Sequence, residues 1–242
     1  TSWNIIGDLP GKEHPEQVVM LGSHYDGHDI SQGAVDPASG SVAVLEAARV
    51  LAKYASDLPV TVRFALWGIE EIGLLGSKHH VKIHDAELDK IRFYLNMDAA
   101  GGSRAKDIQL NKWPELDSIF VNWAEEMALP FRVGQTVNAF SDHYPFLLAG
   151  VPTGGISEVS RSNSGRGYGH TYYDTLDKVN IRNLREAAVL AARLALRIAS
   201  QDKWPAKRRS QDEVTAVLDS PANREETAIF KKIKAFYADV SG

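Results

Sequence analysis

The run Val60 to Gly68 is β-branched, aromatic and apolar, and it leads straight into the adjacent carboxylates Glu70 and Glu71. Such a run reads as a buried central strand. Two carboxylates at its end cannot both be idle, because an unpaired charge in a dry environment is heavily penalised. The pattern recurs along the chain. Val18 to Leu21 is a short apolar strand that gives way to His24 and Asp26, and Ile91 to Met97 is a strand terminating at Asp98. Val151 to Ile156 reads as a further short strand. Between these lie helical patterns. They run from Ser39 (a candidate N-cap) to Lys53, from about Glu71 to His84, from Leu116 to Leu129, from Asp142 to Leu148, and through the alanine- and leucine-rich Arg182 to Ser200. Strands alternating with helices predict α/β architecture in a single doubly wound domain, a mostly parallel central mixed sheet flanked by helices. Ligand groups are then expected at the C-terminal edge of the strands.

Composition narrows the chemistry. The 242 residues suffice for one large α/β domain. A net charge of −4 argues against a nucleic-acid partner, which needs a basic face. No apolar run is long enough to predict a membrane span. There are no cysteines, so disulfides, thiolate zinc sites and cysteine nucleophiles are excluded, and any metal falls to His, Asp and Glu. The chain starts at Thr1 without an initiator Met or signal peptide. That is expected of a product trimmed from a longer precursor and exported to the periplasm or the cell exterior.

The polar segments read as a two-metal hydrolase. Such a site needs about three protein ligands per ion and a shared bridging group. His24 follows a strand, and the Asp26 carboxylate is placed to accept its other ring N–H, fixing the tautomer. Asp36 sits in a glycine-flanked loop where both oxygens can bridge, and the following Pro37 allows a cis bond at low cost. Asp98 ends a strand, and His170 lies in a loop with Gly165, Gly167 and Gly169. Glu71 completes the metal-ligand set His24, Asp36, Glu71, Asp98 and His170. Glu70 is left as general base toward an attacking water, with Asp26 supporting the catalytic group. Other histidines read as decoys: His80 and His84 on a solvated helix face, and His14, His28 and His79 without partners.

The segments His24-Tyr25-Asp26-Gly27, Gly33 through Gly40, Glu70-Glu71-Ile72-Gly73-Leu74-Leu75-Gly76-Ser77, Asn96-Met97-Asp98, Ser141-Asp142-His143 and His170-Thr171 resemble, in order, the motifs of the co-catalytic zinc peptidases of clan MH, metallopeptidase family twenty-eight. That family includes bacterial leucyl aminopeptidases and glutamate carboxypeptidases. The resemblance implies a zinc-peptidase fold and two zinc ions. His24 and Asp98 would hold one ion, Glu71 and His170 the other, with Asp36 bridging and Glu70 as base. It implies peptide substrates cleaved at the N-terminus. Many members carry an aromatic just before the histidine matching His170, a donor to the oxyanion; here that position is Gly169, with Tyr168 before it.

A carboxypeptidase on the same scaffold needs a basic grip, for which Arg104, Arg161 and Arg166 are loop candidates. A glutaminyl cyclase relative uses one zinc. A binding protein that had lost catalysis would show substituted ligand positions, and none is substituted here. His143 is expected in the substrate pocket or supporting the site. The aromatics Phe140, Tyr144, Phe146 and Tyr168, in loops around Asn138 to Tyr144 and Ser157 to Tyr168, suggest an apolar side chain at the cleaved residue. The expected division is a catalytic domain over 1–203 and a helical tail over 204–242. Around the start of that tail Lys203, Lys207, Arg208 and Arg209 form a solvated basic linker. Asn223 with Glu226 then caps a docked helix bearing Ile229, Phe230, Ile233, Phe236 and Tyr237.

Overall fold

The computed structural model describes residues 1–102, 106–158, 167–219, and 228, 229 and 232. Seven strands form one sheet: β1 (Ile5–Leu9), β2 (His14–His24), β3 (Val60–Trp67), β4 (Ile91–Met97), β5 (Lys106–Gln109), β6 (Val133–Gly134) and β7 (Thr153–Glu158). Their order is β1-β3-β2-β4-β7-β5-β6. The centre, β3-β2-β4-β7, is parallel. β1 joins β3 antiparallel, and β5 joins β7 antiparallel. The expected mostly parallel, mixed sheet is therefore present.

The connections decide where a site can form. From β2 the chain crosses to β3, then returns over β2 to β4, so the strand order reverses at β2. Crevices in open α/β sheets lie at such a reversal, outside the carboxyl ends of the strands. The register aligns those ends: His24 pairs with Trp67, and Gly22 with Asn96.

Helices cover both faces. On one face α1 (Ser39–Leu51) packs with α5 (Ile181–Ala199) against the sheet, and α3 (Asp117–Glu126) joins the same core. Alanines at 187, 188, 191, 192 and 195 let α5 lie close, while Leu190, Leu194 and Ile198 fill the space. Each such large apolar side chain contributes roughly 1.5–3 kcal/mol by its burial. The other face is covered by α2 (Leu75–Ile83) and α4 (His143–Leu148), with Phe146 packed on Trp67 and Tyr94. At the N-terminus of α1 a Cβ on Gly40 would lie 2.0 Å from the carbonyl oxygen of Asp98. Only glycine allows this helix to start against the end of β4.

Several elements differ from the sequence expectation. The helix anticipated from Glu71 begins at Leu75, because Ile69 and Leu74 adopt positive φ and turn the chain sharply after β3. Ser39 is not an N-cap. It is the first residue of α1, its hydroxyl donates to the Val35 carbonyl, and it accepts from Gly101 N–H at 2.7 Å. The edge strand β1 and the short strands β5 and β6 were not anticipated; β1 is tied to β3 by the paired contacts of Arg63 with Asp8.

His80 is not on a solvated face. It is buried against Trp67 and Phe146, although His84 beside it is exposed enough to meet Glu87.

The basic segment after α5 is docked, not a free linker. Trp204 donates to the Arg92 carbonyl at 2.7 Å and packs on Phe93. Arg208 reaches Asp85 and the Ala149 carbonyl. Arg209 stacks 3.6 Å over the Trp113 ring and donates to the Lys112 carbonyl. A capped helix, α6 (Gln211–Leu218), follows, with Ser210 and Glu213 forming its capping box. The anticipated cap at Asn223 and Glu226, and the helix positions Phe230, Ile233, Phe236 and Tyr237, lie outside the described residues. So do Arg104, Arg161, Arg166 and Gly165.

Two stability measurements follow. Arg209→Ala should lower the urea-unfolding free energy by about 1–2 kcal/mol through the lost ring stacking and hydrogen bond, while substitution of exposed Lys207 leaves it within about 0.5 kcal/mol. Burial pulls the His80 imidazole down to about 4, so the folded state holds it neutral. The unfolded chain therefore binds more protons between that value and the ordinary 6.5, and stability should fall as pH drops through this window, by up to about 3 kcal/mol. His80→Phe should flatten that part of the pH–stability curve.

Candidate active site

Ends of β2, β3 and β4, the loop before α1 and the loop carrying His170 meet at the sheet edge. His24 is buried as the last residue of β2. Its Nδ1 lies 3.0 Å from the backbone carbonyl of Asp26, which accepts the ring proton. Nε2 then presents its lone pair to Asp98 Oδ1 at 3.1 Å and Asp36 Oδ1 at 3.2 Å. A lone pair facing two carboxylates is repulsive unless a proton or a cation lies between them.

Asp26 departs from expectation. Its carboxylate is 3.8 Å from His24 Nδ1 and instead accepts the N–H groups of Glu70 and Glu71 at 2.9 and 3.3 Å. It holds the turn carrying the glutamates, and its main chain orients the histidine.

A second group forms beside the first. His170 Nε2 lies 3.1 Å from Glu71 Oε2 and 3.3 Å from Asp36 Oδ2. Asp36 thus directs one oxygen to each histidine. The Asp36-Pro37 bond is cis, as the sequence anticipated. His28 also belongs here: its Nε2 is 3.0 Å from Glu71 Oε2 and its ring edge meets His170. It is no isolated residue. The signal available in the sequence was its place four residues beyond His24, in the loop that follows β2.

Residues outside the expected set hold this arrangement. Buried Asp174 accepts the Val35 and Asp36 N–H groups at 2.7 and 3.0 Å, fixing the Asp36 loop. A Cβ on Gly169 would lie 2.9 Å from Asp36 Oδ2, which explains glycine where an aromatic was expected. Asp98 terminates a chain of donors. Trp67 donates to Tyr94 at 2.7 Å, Tyr94 to Asn96 at 2.6 Å, Asn96 to Ser141 at 2.7 Å, and Ser141 to Asp98 Oδ2 at 2.7 Å.

The electrostatics are those of an acid-rich site. Burial, reinforced by the Asp98 charge, pushes the Glu70 carboxyl up to about 9, and burial with Asp36 nearby pushes Glu71 up to about 7. Burial also lifts Asp142, which accepts from Ser77 at 2.6 Å, to about 7. Burial opposes charge on Asp98 and on His24, yet their mutual attraction wins, bringing Asp98 to about 2 and raising His24. Glu71 Oε1 is buried without a hydrogen-bond partner. Carboxylate and imidazole donors this close together suit divalent cations such as zinc, and the orphaned oxygen supplies a further ligand atom. The donors fall into two groups, His24 with Asp36 and Asp98, and His28 with Glu71 and His170.

A cleft of ≈ 380 Å³ opens over Asp36 and Asp98. The aromatic lining anticipated for it is mostly absent. Phe146 and Tyr144 are buried, Phe140 is not among the lining residues, and Tyr168 alone of the four contributes. Asn96, Gln109, Asn111, Asn138 and buried His143 line it beside Val35, Ala99 and Ile156, so polar groups stand within a wall that is mainly apolar.

The profile of Peptidase family M28 matches residues 4–195. The chain belongs to this family. It is 32% identical over 202 residues to "Leupeptin-inactivating enzyme 1" of Streptomyces exfoliatus, spanning 78% of this chain and 45% of that protein. To "Aminopeptidase YwaD" of Bacillus subtilis it is 30% identical over 234 residues, spanning 89% of this chain and 49% of that protein. The solved structure of BSAP, a zinc aminopeptidase from Bacillus subtilis, superposes with a TM-score of 0.71 at 28% identity, covering 86% of this chain and 53% of that one. A glutaminyl cyclase from an Acidobacteriales bacterium superposes with 0.63 at 26% identity, covering 80% and 73%. The chain spans less than half the length of these two curated relatives.

Removing the Asp174 carboxylate strands two N–H groups in a buried loop. Asp174→Ala should therefore cost about 2–4 kcal/mol of unfolding free energy in metal-free buffer, read from the urea midpoint.

Proposed function

We propose that this chain is a two-metal aminopeptidase, removing N-terminal amino acids from peptides. His24, Asp98 and Asp36 hold one ion, and Glu71, His170 and Asp36 the other, with zinc the metal named for the similar BSAP structure. The observation that carries this reading is Asp36, whose two oxygens face two separate histidine–carboxylate groups. Glu70 Oε2 lies 4.0 Å from His24 Nδ1, and Glu70 belongs to neither group. Residues 1–203 carry this centre, and the described part of the segment that follows docks on the same domain through Trp204, Arg208 and Arg209 before helix α6.

When bound, the two ions lower the pKa of water toward neutrality and polarise the scissile carbonyl. Glu70 accepts the proton of the attacking water and returns it to the leaving amine. Without cations, burial and the Asp98 charge favour its protonated form; bound cations would favour the ionised form that accepts this proton. Asp26 fixes Glu70 through its main-chain N–H, so the base does not swing away. The acidic surround offers an anionic resting place for the substrate's free α-ammonium group, which favours cleavage at the N-terminus. The likeness to a glutaminyl cyclase supports a second reading, a one-ion ring-closing enzyme. Two complete donor groups weigh against it.

Purified protein should contain two zinc equivalents by elemental analysis and cleave aminoacyl chromogenic substrates but not their N-acetylated forms. Cleavage that survives acetylation overturns the aminopeptidase reading. Glu70→Gln should retain both ions while turnover falls by roughly 10²–10⁴-fold. Asp36→Ala, by contrast, should release metal.

A further inference from the structure

His28 has no place in the five-ligand scheme, yet its geometry matches the residues that do. Its Nε2 stands 3.0 Å from Glu71 Oε2, and His170 Nε2 stands 3.1 Å from that same oxygen. In a tetrahedral zinc site with bonds of about 2.0–2.1 Å, neighbouring donor atoms are separated by roughly 3.3 Å. The separations around Glu71, including 3.3 Å from His170 to Asp36, are those of donors sharing one ion. The same spacing occurs around His24, where Asp98 and Asp36 lie at 3.1 and 3.2 Å.

The surroundings favour ligation over a simple contact. Glu71 is buried to 5% side-chain exposure, whereas His28 retains 35%, so the histidine reaches inward from the rim of the site. The two imidazoles meet edge to face, with centroids 4.4 Å apart and planes at 61°, which lets both Nε2 atoms converge without stacking.

Resting on the two-ion reading above, we propose that His28 is a ligand through Nε2 of the ion on the Glu71 side. Together with Glu71, His170 and Asp36 it gives that ion four protein donors. The ion on the His24 side has three. A fourth protein donor closes a tetrahedral site, whereas three leave a position open. The open position for substrate therefore falls on the His24 side, under the cleft lined by Asp98 and Ser141. The His28 side would then hold its ion with more protein donors, and the His24 side with fewer.

The test is zinc titration against a chromophoric chelator, with cobalt absorption as a second readout, on wild type, His28→Ala and His28→Asn. Asparagine still donates a hydrogen bond to Glu71 but is a poor zinc ligand, so it separates ligation from mere positioning. The expected result is two ions in wild type. In both variants one ion keeps its affinity and the other weakens by at least the roughly 10–100-fold that even an outer hydrogen-bond partner is worth, and the cobalt spectrum changes. Wild type with two ions and either variant with unchanged affinities overturns the role of His28 and leaves the two-ion reading intact. Wild type without ions removes both.

Discussion

Carboxylates crowd one edge of the sheet, and that crowding organises the rest of the molecule. Asp26, Asp36, Glu70, Glu71, Asp98 and Asp142 all lie around His24 and its neighbours, partly or wholly withdrawn from water. Like charges in a low-dielectric setting repel strongly, and protonating some of them is the response of a protein left to itself. Burial first, and these like charges second, push Glu70, Glu71 and Asp142 upward. Cations between the carboxylates relieve the same repulsion while leaving the carboxylates ionised. The acidic edge is thus the electrostatic ground for the metal binding proposed above.

An edge under that repulsion needs rigid support, and the fold provides it from neutral or main-chain partners. The chain of donors from Trp67 through Tyr94, Asn96 and Ser141 ends on one oxygen of Asp98 and leaves the other to face His24. Asp26 and Asp174 use their carboxylates on main-chain N–H groups, two each, which fixes the glutamate turn and the Asp36 loop. Spreading a carboxylate over two N–H donors keeps its charge satisfied without another side chain in the site.

Much of this was legible in the sequence. The central strands β2, β3 and β4 follow from apolar runs, and their shared polar ends follow from the rule that ligands gather at the carboxyl edge of a reversing sheet. The five expected ligand residues do converge. What was not legible depends on distant partners. β1, β5 and β6 are short, and their pairing is long-range, so local pattern carries little of it. His80 shares its spacing with exposed histidines and is buried only because Trp67 and Phe146 arrive from elsewhere. Arg208 and Arg209 read as solvated charge until Asp85 and the Trp113 ring are brought beneath them. Asp174 has no motif around it; its role exists only once the Asp36 loop folds back over it.

Gly169 ties the local and global arguments together. An aromatic at that position is the resemblance's donor to the oxyanion, and its loss by itself reads as a defect. In the folded chain the Asp36 carboxylate occupies the space a side chain would need. The carboxylate is there because Asp174 pulls the Val35-Asp36 main chain inward, and because His170 lies across from its outer oxygen. A side chain at 169 would thus require the Asp36 carboxylate to shift, and this chain keeps the close approach. Under the two-ion reading proposed above, stabilising a developing oxyanion would fall to the bound cations, and Asp36, facing both histidines, is among the residues that would hold them.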